Sequence, residues 1–234
     1  MNILFCLLGL VGGSFLNLCI DRLPRRESII RPPSHCDGCG HRLGFIDLIP
    51  VIGYLYLRGR CRYCGASISP RVPMVEVGIG LLFVVLWNHY GLSVELLAAM
   101  VLTSLFIVIS VIDIDHHLIL NRLVYPAIAL AFLVGILTPS HGIISAIAGG
   151  AIGAGILLPL AIISPGSMGM GDVKLAVLIG LLVGFPYVFF ALLVAFILGG
   201  FVGVGMLLAK LKGRKDPVET LVMPLEYRCS TGKE

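Results

Sequence analysis

Charge is scarce in this chain. Only 13% of its 234 residues are Asp, Glu, Lys or Arg, against about 25% in an ordinary soluble domain. Hydrophobic residues make up 58%, and the mean hydropathy is +1.02. Few soluble folds could hide so much apolar surface, so the chain reads as a polytopic membrane protein. A secretory signal peptide is also missing. The first residues carry no positive charge, and no small-residue cleavage site follows the first apolar run, which reads as a retained span. Long repeats and low-complexity tracts are absent, which argues against a solenoid or a disordered array.

What is present is a series of long apolar runs. A helix needs about 20 such residues to cross the hydrocarbon core. Seven candidates emerge, near 2–20, 73–90, 95–112, 123–138, 142–163, 173–185 and 187–209, the last two joined tightly at Gly184-Phe185-Pro186. Many of the 29 glycines fall inside these runs, where small residues let membrane helices approach closely. The expected fold is all-α and polytopic. It divides into a first span at 1–20, a cytoplasmic module at 21–72, a membrane core at 73–209 and a cytoplasmic tail at 210–234.

The placement of basic residues sets the direction. Nine arginines, from Arg22 to Arg71, lie between the first two spans. Arg122 follows the third span, Lys174 opens the sixth, and the remaining basic residues follow the seventh. The alternate loops have none. The positive-inside rule then puts the N-terminus outside and the C-terminus in the cytoplasm. Topology accounts for the net charge of +4 without a nucleic-acid partner.

The 21–72 loop is too long to be a mere connector. It contains CDGC (Cys36, Cys39) and CRYC (Cys61, Cys64), with twenty-one residues between the pairs. Two such pairs at this separation read as a four-cysteine zinc site. Gly38, Gly40 and Gly65 suit the turns around a metal. Two disulfides are the alternative, disfavoured in a reducing cytoplasm. Four thiolates leave no open coordination position, so the zinc reads as structural. His35 and His41 flank the first pair and read as exposed loop residues.

Two acids carry the chemistry. The third span ends in VIDIDHHLILN, with Asp113 and Asp115, and the sixth opens after GMGD, with Asp172. The topology puts Asp113 and Asp172 at one membrane depth. Two carboxylates held close share one proton. The charged member can activate water while the protonated one polarises a carbonyl. Gly169 and Gly171 free the backbone beside Asp172 and leave room for a substrate strand. The bland alternative makes Asp113 an interfacial helix-end acid and Asp172 a helix N-terminal acid favoured by the dipole. Asp115 is turned away from Asp113 by the helix and reads as a supporting acid. His116 and His117 read as solvated.

Taken in order, GGSFLNLCIDRLP, the paired CxxC motifs, ISPRVPMVE, VIDIDHHLILN and GMGDVKL resemble the type IV prepilin peptidases, over about residues 9 to 210. These are GxGD-type membrane aspartyl proteases, also called prepilin leader peptidase/N-methyltransferases. The resemblance implies cleavage of a short cationic leader from prepilins or type II secretion pseudopilins at the cytoplasmic face of the bacterial inner membrane. It implies Asp113 and Asp172 as the catalytic pair, and methylation of the new N-terminus by S-adenosylmethionine. No Gly-rich dinucleotide-type fingerprint marks a site for that donor. Family analogy puts methyl transfer in the N-terminal cytoplasmic region, where Asn17 and Glu76 are the candidates. Their plain alternatives are a helix-packing hydrogen bond for Asn17 and a charge paired with Arg71 or Arg22 for Glu76. Lys174 is a candidate to orient substrate or tune Asp172, or else a snorkelling anchor.

The chain departs from the family pattern twice. Ile119-Leu120-Asn121 lacks the proline that usually precedes this position. The tail DPVETLVMPLEYRCSTGKE stands where a segment like PFGPFLALG usually opens a last apolar helix. Two other classes compete for the same features. A transporter would use Asp113 and Asp172 as ion sites near the bilayer midplane. A non-catalytic zinc-bearing assembly factor would tolerate loss of both acids. The sequence does not name the particular pilin or the oligomeric state.

Overall fold

Helix formation follows the apolar runs. A computed structural model describes residues 1–44, 46–137, 142–163 and 169–211, and among these every regular element is helical. The elements are α1 (Asn2–Arg22), a 3-10 turn at Ile46–Leu48, α2 (Ile52–Tyr56), α3 (Arg71–Tyr90), α4 (Val94–His116), α5 (Asn121–Leu137), α6 (Ile143–Ile163), α7 (Met170–Val183) and α8 (Val188–Leu211). Ser93 starts α4 by accepting the Leu96 N–H at 3.1 Å, the usual N-cap device for an orphan donor. Gly91 and Gly184, both at positive φ, end α3 and α7, a conformation that costs glycine little.

Five helices, α1, α3, α4, α6 and α8, are long and apolar enough to cross a membrane. The seven predicted spans each have a helical counterpart, but α5 has 17 residues and α7 only 14. At 1.5 Å per residue, α7 extends about 21 Å, short of the roughly 30 Å hydrocarbon core. Gly184, at positive φ, ends the helix. The tail from residue 212, with its departure from the family pattern, lies outside the described residues.

Two helix pairs are held backbone to backbone. A Cβ on Gly9 or Gly13 would stand 2.7 Å from α3, at Gly80 or Glu76. Likewise, Gly149 and Gly153 of α6 meet Gly180 and Ala176 of α7. Glycine is needed at these crossings because any side chain would push the helices apart. Between the pairs, Leu102 of α4, Ala127 and Ala131 of α5 and Leu178 of α7 share a buried core. A second core joins α1, α3 and α4 through Phe5, Ile20, Ile79 and Ile112. Outward-facing side chains such as Leu4, Phe15, Phe190 and Phe201 are exposed and apolar. Such a surface suits lipid rather than water.

Side-chain contacts bring five helix ends to one end of the bundle. Arg71, at the start of α3, pairs with Asp21 at the end of α1 and with Asp115 at the end of α4. Lys174, in the first turn of α7, donates to Asn121 Oδ1 at the start of α5, 2.7 Å away. At the opposite end, Ser145 of α6 exchanges hydrogen bonds with Phe185 beyond α7. Arg22, Arg71, Arg122 and Lys174 all fall at the first end.

Candidate functional site

The end of α4 places the first acid. Asp113 and Asp115 sit in its last turn, and His117 closes the helix in a left-handed conformation, its N–H bonded to the Asp113 carbonyl at 2.8 Å. Asp113 is half-buried. Asp113 thus lies at the end of the bundle where α7 begins with Asp172. His116 and His117 are both exposed, as expected.

Asp172 comes from the first turn of α7, where its Oδ2 accepts the Gly169 N–H at 3.2 Å. An acid there satisfies an orphan donor and suits the helix dipole. The two glycines before it differ. A Cβ at Gly169 would make only ordinary contacts, with Asp172 Oδ2 at 3.6 Å and the Gly171 nitrogen at 3.8 Å, whereas a Cβ at Gly171 would stand 2.6 Å from Ile119. The room expected for a substrate strand at Gly171 is therefore taken by Ile119, in the turn between α4 and α5. Gly171 serves close packing of α7 against that turn.

Lys174 is engaged away from Asp172. Its ammonium bonds Asn121 and stands 5.0 Å from the Tyr125 ring centroid, within cation–π range. Among the described residues it forms no ion pair with Asp172. Its contacts orient α7 against α5, the helix between the two acids.

Asn17 and Glu76 lie where α1 and α3 touch, at 5% and 3% exposure. Asn17 Nδ2 donates to the Val72 carbonyl at 3.0 Å, and its Oδ1 is buried without a partner. Asn17 thus makes the helix-packing bond anticipated as its plain role. Glu76 does not pair with Arg71 or Arg22. It accepts the Val51 N–H at 2.8 Å and a bond from Ser14. Arg71 is committed to Asp21 and Asp115, and buried Arg22 donates to the carbonyls of Ser28 and Pro32 at 2.9 and 2.8 Å. The backbones of α1 and α3 touch at Gly13 and Glu76, so both candidates sit in a tightly packed seam.

The four cysteines converge. The Sγ atoms of Cys36, Cys39, Cys61 and Cys64 all lie within 4.8 Å of one another, and Cys36 Sγ is 3.7 Å from Cys64 Sγ. Zn–S bonds of about 2.3 Å in a tetrahedron give S···S edges of about 3.8 Å, so the cluster fits a zinc ion. Each CxxC forms the same turn. The N–H of Cys36 bonds the His41 carbonyl and that of Cys61 the Ala66 carbonyl, with Gly40 and Gly65 at positive φ. Gly38 is not at positive φ. Backbone N–H groups of Cys64 and Tyr63 draw the Cys61 thiol down to about 7. Burial pushes Cys36 above its ordinary value. The histidines are occupied elsewhere: His41 stacks on Tyr63 at 3.7 Å, and half-buried His35 meets the Pro33 carbonyl.

Sequence reading missed the Arg71–Asp21–Asp115 cluster. The available signal was a single arginine opening a span that faces two helix-end acids. It also missed the Val51–Glu76 tether, for which no local pattern exists.

The structure is thus a helical bundle with membrane-length helices, acids at one end and a four-thiolate module, and comparison with known proteins places it among membrane peptidases. Residues 7–90 match the bacterial peptidase A24 N-terminal domain and residues 100–204 match the type IV leader peptidase family. A prepilin leader peptidase/N-methyltransferase of Myxococcus xanthus is 37% identical over 219 residues, covering 90% of this chain and 64% of the relative. Namesakes from Bacillus subtilis and Pseudomonas putida are 32% and 34% identical, with 88% and 79% of their lengths covered. The chain belongs to the type IV prepilin leader peptidase family. No solved structure matches it.

Proposed function

We propose that the protein is an aspartyl endopeptidase that removes the leader of type IV prepilins or type II secretion pseudopilins at the cytoplasmic face of the bacterial inner membrane. The observation that carries this reading is the placement of Asp113, in the last turn of α4, and Asp172, in the first turn of α7, at helix ends on one side of the bundle. The basic residues at described helix ends gather on that same side, which supports its being the cytoplasmic one.

The substrate's apolar helix lies in the bilayer beside the enzyme, and its cationic leader stays in water. The scissile bond then arrives at the interface, locally extended so that its carbonyl is accessible. One carboxylate of the pair takes a proton from water, and the other supplies a proton to the leaving amine. The two titrate as a unit, so base and acid are roles of the pair. Zinc held by Cys36, Cys39, Cys61 and Cys64 would crosslink the loop and take no part in the cut.

Methylation of the new N-terminus by S-adenosylmethionine is the second proposed activity, supported by the relatives' names. Asn17 and Glu76 stay the candidates for it, and no step is assigned to them. The deciding experiment uses purified protein with a prepilin peptide and radiolabelled methyl donor. Cleavage by the native protein, abolished by Asp113→Asn and by Asp172→Asn, is expected. Cleavage that survives both substitutions refutes the peptidase pair and favours a non-catalytic assembly factor.

A further inference from the structure

The cytoplasmic module has an apolar face that the protein does not cover. Ile52, Leu55 and Tyr56 of α2 are spaced i, i+3, i+4 and so lie on one side of the helix. They are 63%, 66% and 72% exposed, while Gly53 on the other side is buried against the Asp47 carbonyl. Three adjacent, mostly exposed large apolar side chains are costly in water, at about 25 cal/mol per Å².

The position of this face is fixed. Val51, immediately before α2, holds φ 61°, which is uncommon and strained for a β-branched residue. Its N–H is clamped by Glu76, in the second turn of α3. The start of α2 is thereby pinned to the end of two candidate membrane spans, α1 and α3. Nearby on α3, Met74 and Val77 are also exposed and apolar, so apolar surface is present on both the helix and the span to which it is tied.

The surrounding charge selects the occupant. The loop from Asp21 to Val72 carries nine arginines against Asp21, Glu27, Asp37 and Asp47. Two of those acids are already neutralised, Asp21 by Arg71 and Asp47 by Arg62. Arg58 and Arg60, directly after α2, are exposed and in no ion pair among the described residues. Apolar anchors beside unpaired arginines are the composition that binds an anionic lipid interface, and a cationic peptide would be repelled.

We propose that α2 is an interfacial foot. Ile52, Leu55 and Tyr56 enter the headgroup–acyl boundary of the membrane the chain itself spans, Arg58 and Arg60 contact anionic headgroups, and the Glu76–Val51 clamp sets the depth. The zinc module is then held down on the lipid surface rather than projecting into water.

The test places a single tryptophan in the full chain, in lipid nanodiscs. Trp87→Phe keeps the stacked ring against Phe5 and removes the native signal. Tyr56→Trp then reports the foot, and Asp37→Trp, on the exposed first cysteine turn, is the control. Expected are bluer emission and loss of intensity with brominated acyl chains for Tyr56→Trp, stronger when phosphatidylglycerol is added to phosphatidylcholine. Asp37→Trp should instead be quenched by aqueous acrylamide. A Tyr56→Trp signal open to acrylamide and blind to brominated lipid overturns the proposal. Shielding that appears only after a prepilin peptide is added also overturns it, and makes the face a substrate surface. Because neither readout requires cleavage, failure here is distinct from failure of the peptidase reading.

Discussion

Arg71 binds Asp115, two residues beyond Asp113, and at the same time binds Asp21 at the end of α1. One guanidinium thus fastens the last turn of α4 to the N-terminal helix pair. Arginine suits the task because its planar fork serves two carboxylates at once, whereas lysine offers a point charge. Removing it leaves two half-exposed acids facing each other. Arg71→Ala is expected to lose about 2 kcal/mol of stability and to lower cleavage more than tenfold, with Arg71→Lys in between. Thermal unfolding alongside peptide cleavage checks this. Activity unchanged in a stable Arg71→Ala protein would show that the position of Asp113 does not depend on the cluster.

Gly171 and Ile119 form a second dependency. A methyl group at Gly171 would overlap the Ile119 side chain, and overpacking of this kind costs about 1–3 kcal/mol. Gly171→Ala should therefore displace the start of α7, and Asp172 with it, and lower kcat more than KM. Ile119→Gly removes the Cβ that would stand nearest, at 2.6 Å, so the double variant should recover part of the loss. If the double variant is no better than Gly171→Ala, the glycine serves something other than this contact.

The metal module predicts a pH window. Zinc ligands must be deprotonated, so uptake releases protons. The Cys61 thiol is lowered from 9.0 to about 7 by backbone N–H groups. For an acid depressed in the folded state, the stabilisation is full above the unfolded value and is lost as pH falls through the folded one. The Cys61 contribution to the metal-free module should therefore be full above about pH 9 and fade as pH drops through 7, while the raised Cys36 and Cys64 thiols oppose it as pH rises past 9; zinc uptake, which needs thiolates, should weaken as pH falls. Zinc titration monitored by a colorimetric chelator between pH 6 and 9 reads this directly. Cys61→Ser should abolish stoichiometric zinc and lower the melting temperature.

The fold was legible where the physics is local. Apolar length located every long helix, because burial of such runs leaves a chain few other options. The cysteine spacing also sufficed, since four thiolates around one ion impose their own geometry. Asp113 and Asp172 could be assigned to the same end of the bundle in advance only because charge placement assigns helix ends to membrane sides. What was not legible is contact between side chains from different helices. Glu76 had two arginines within plausible reach, yet Val51 N–H holds it, and no sequence rule ranks a backbone donor from a distant loop above a charged side chain. Ile119 filling the space at Gly171 is of the same kind. The short lengths of α5 and α7 were legible too, since the apolar runs 123–138 and 173–185 are about as short as the helices Asn121–Leu137 and Met170–Val183.

Glu76 offers the sharpest separation between packing and chemistry. Its carboxylate clamps the strained Val51 turn from a site that is almost wholly buried. Glutamine can still accept that N–H through its amide oxygen, whereas alanine cannot, and an unsatisfied buried donor costs about 1–3 kcal/mol. If Glu76 is purely a clamp, Glu76→Gln should keep both leader cleavage and methyl transfer, and Glu76→Ala should loosen the 46–60 segment. Limited proteolysis would show that loosening as faster cutting, and zinc content measured in parallel would show whether the cysteine turns survive it. If instead the charge is needed for methyl transfer, Glu76→Gln will lose labelled methyl incorporation while cleavage and protease resistance stay native.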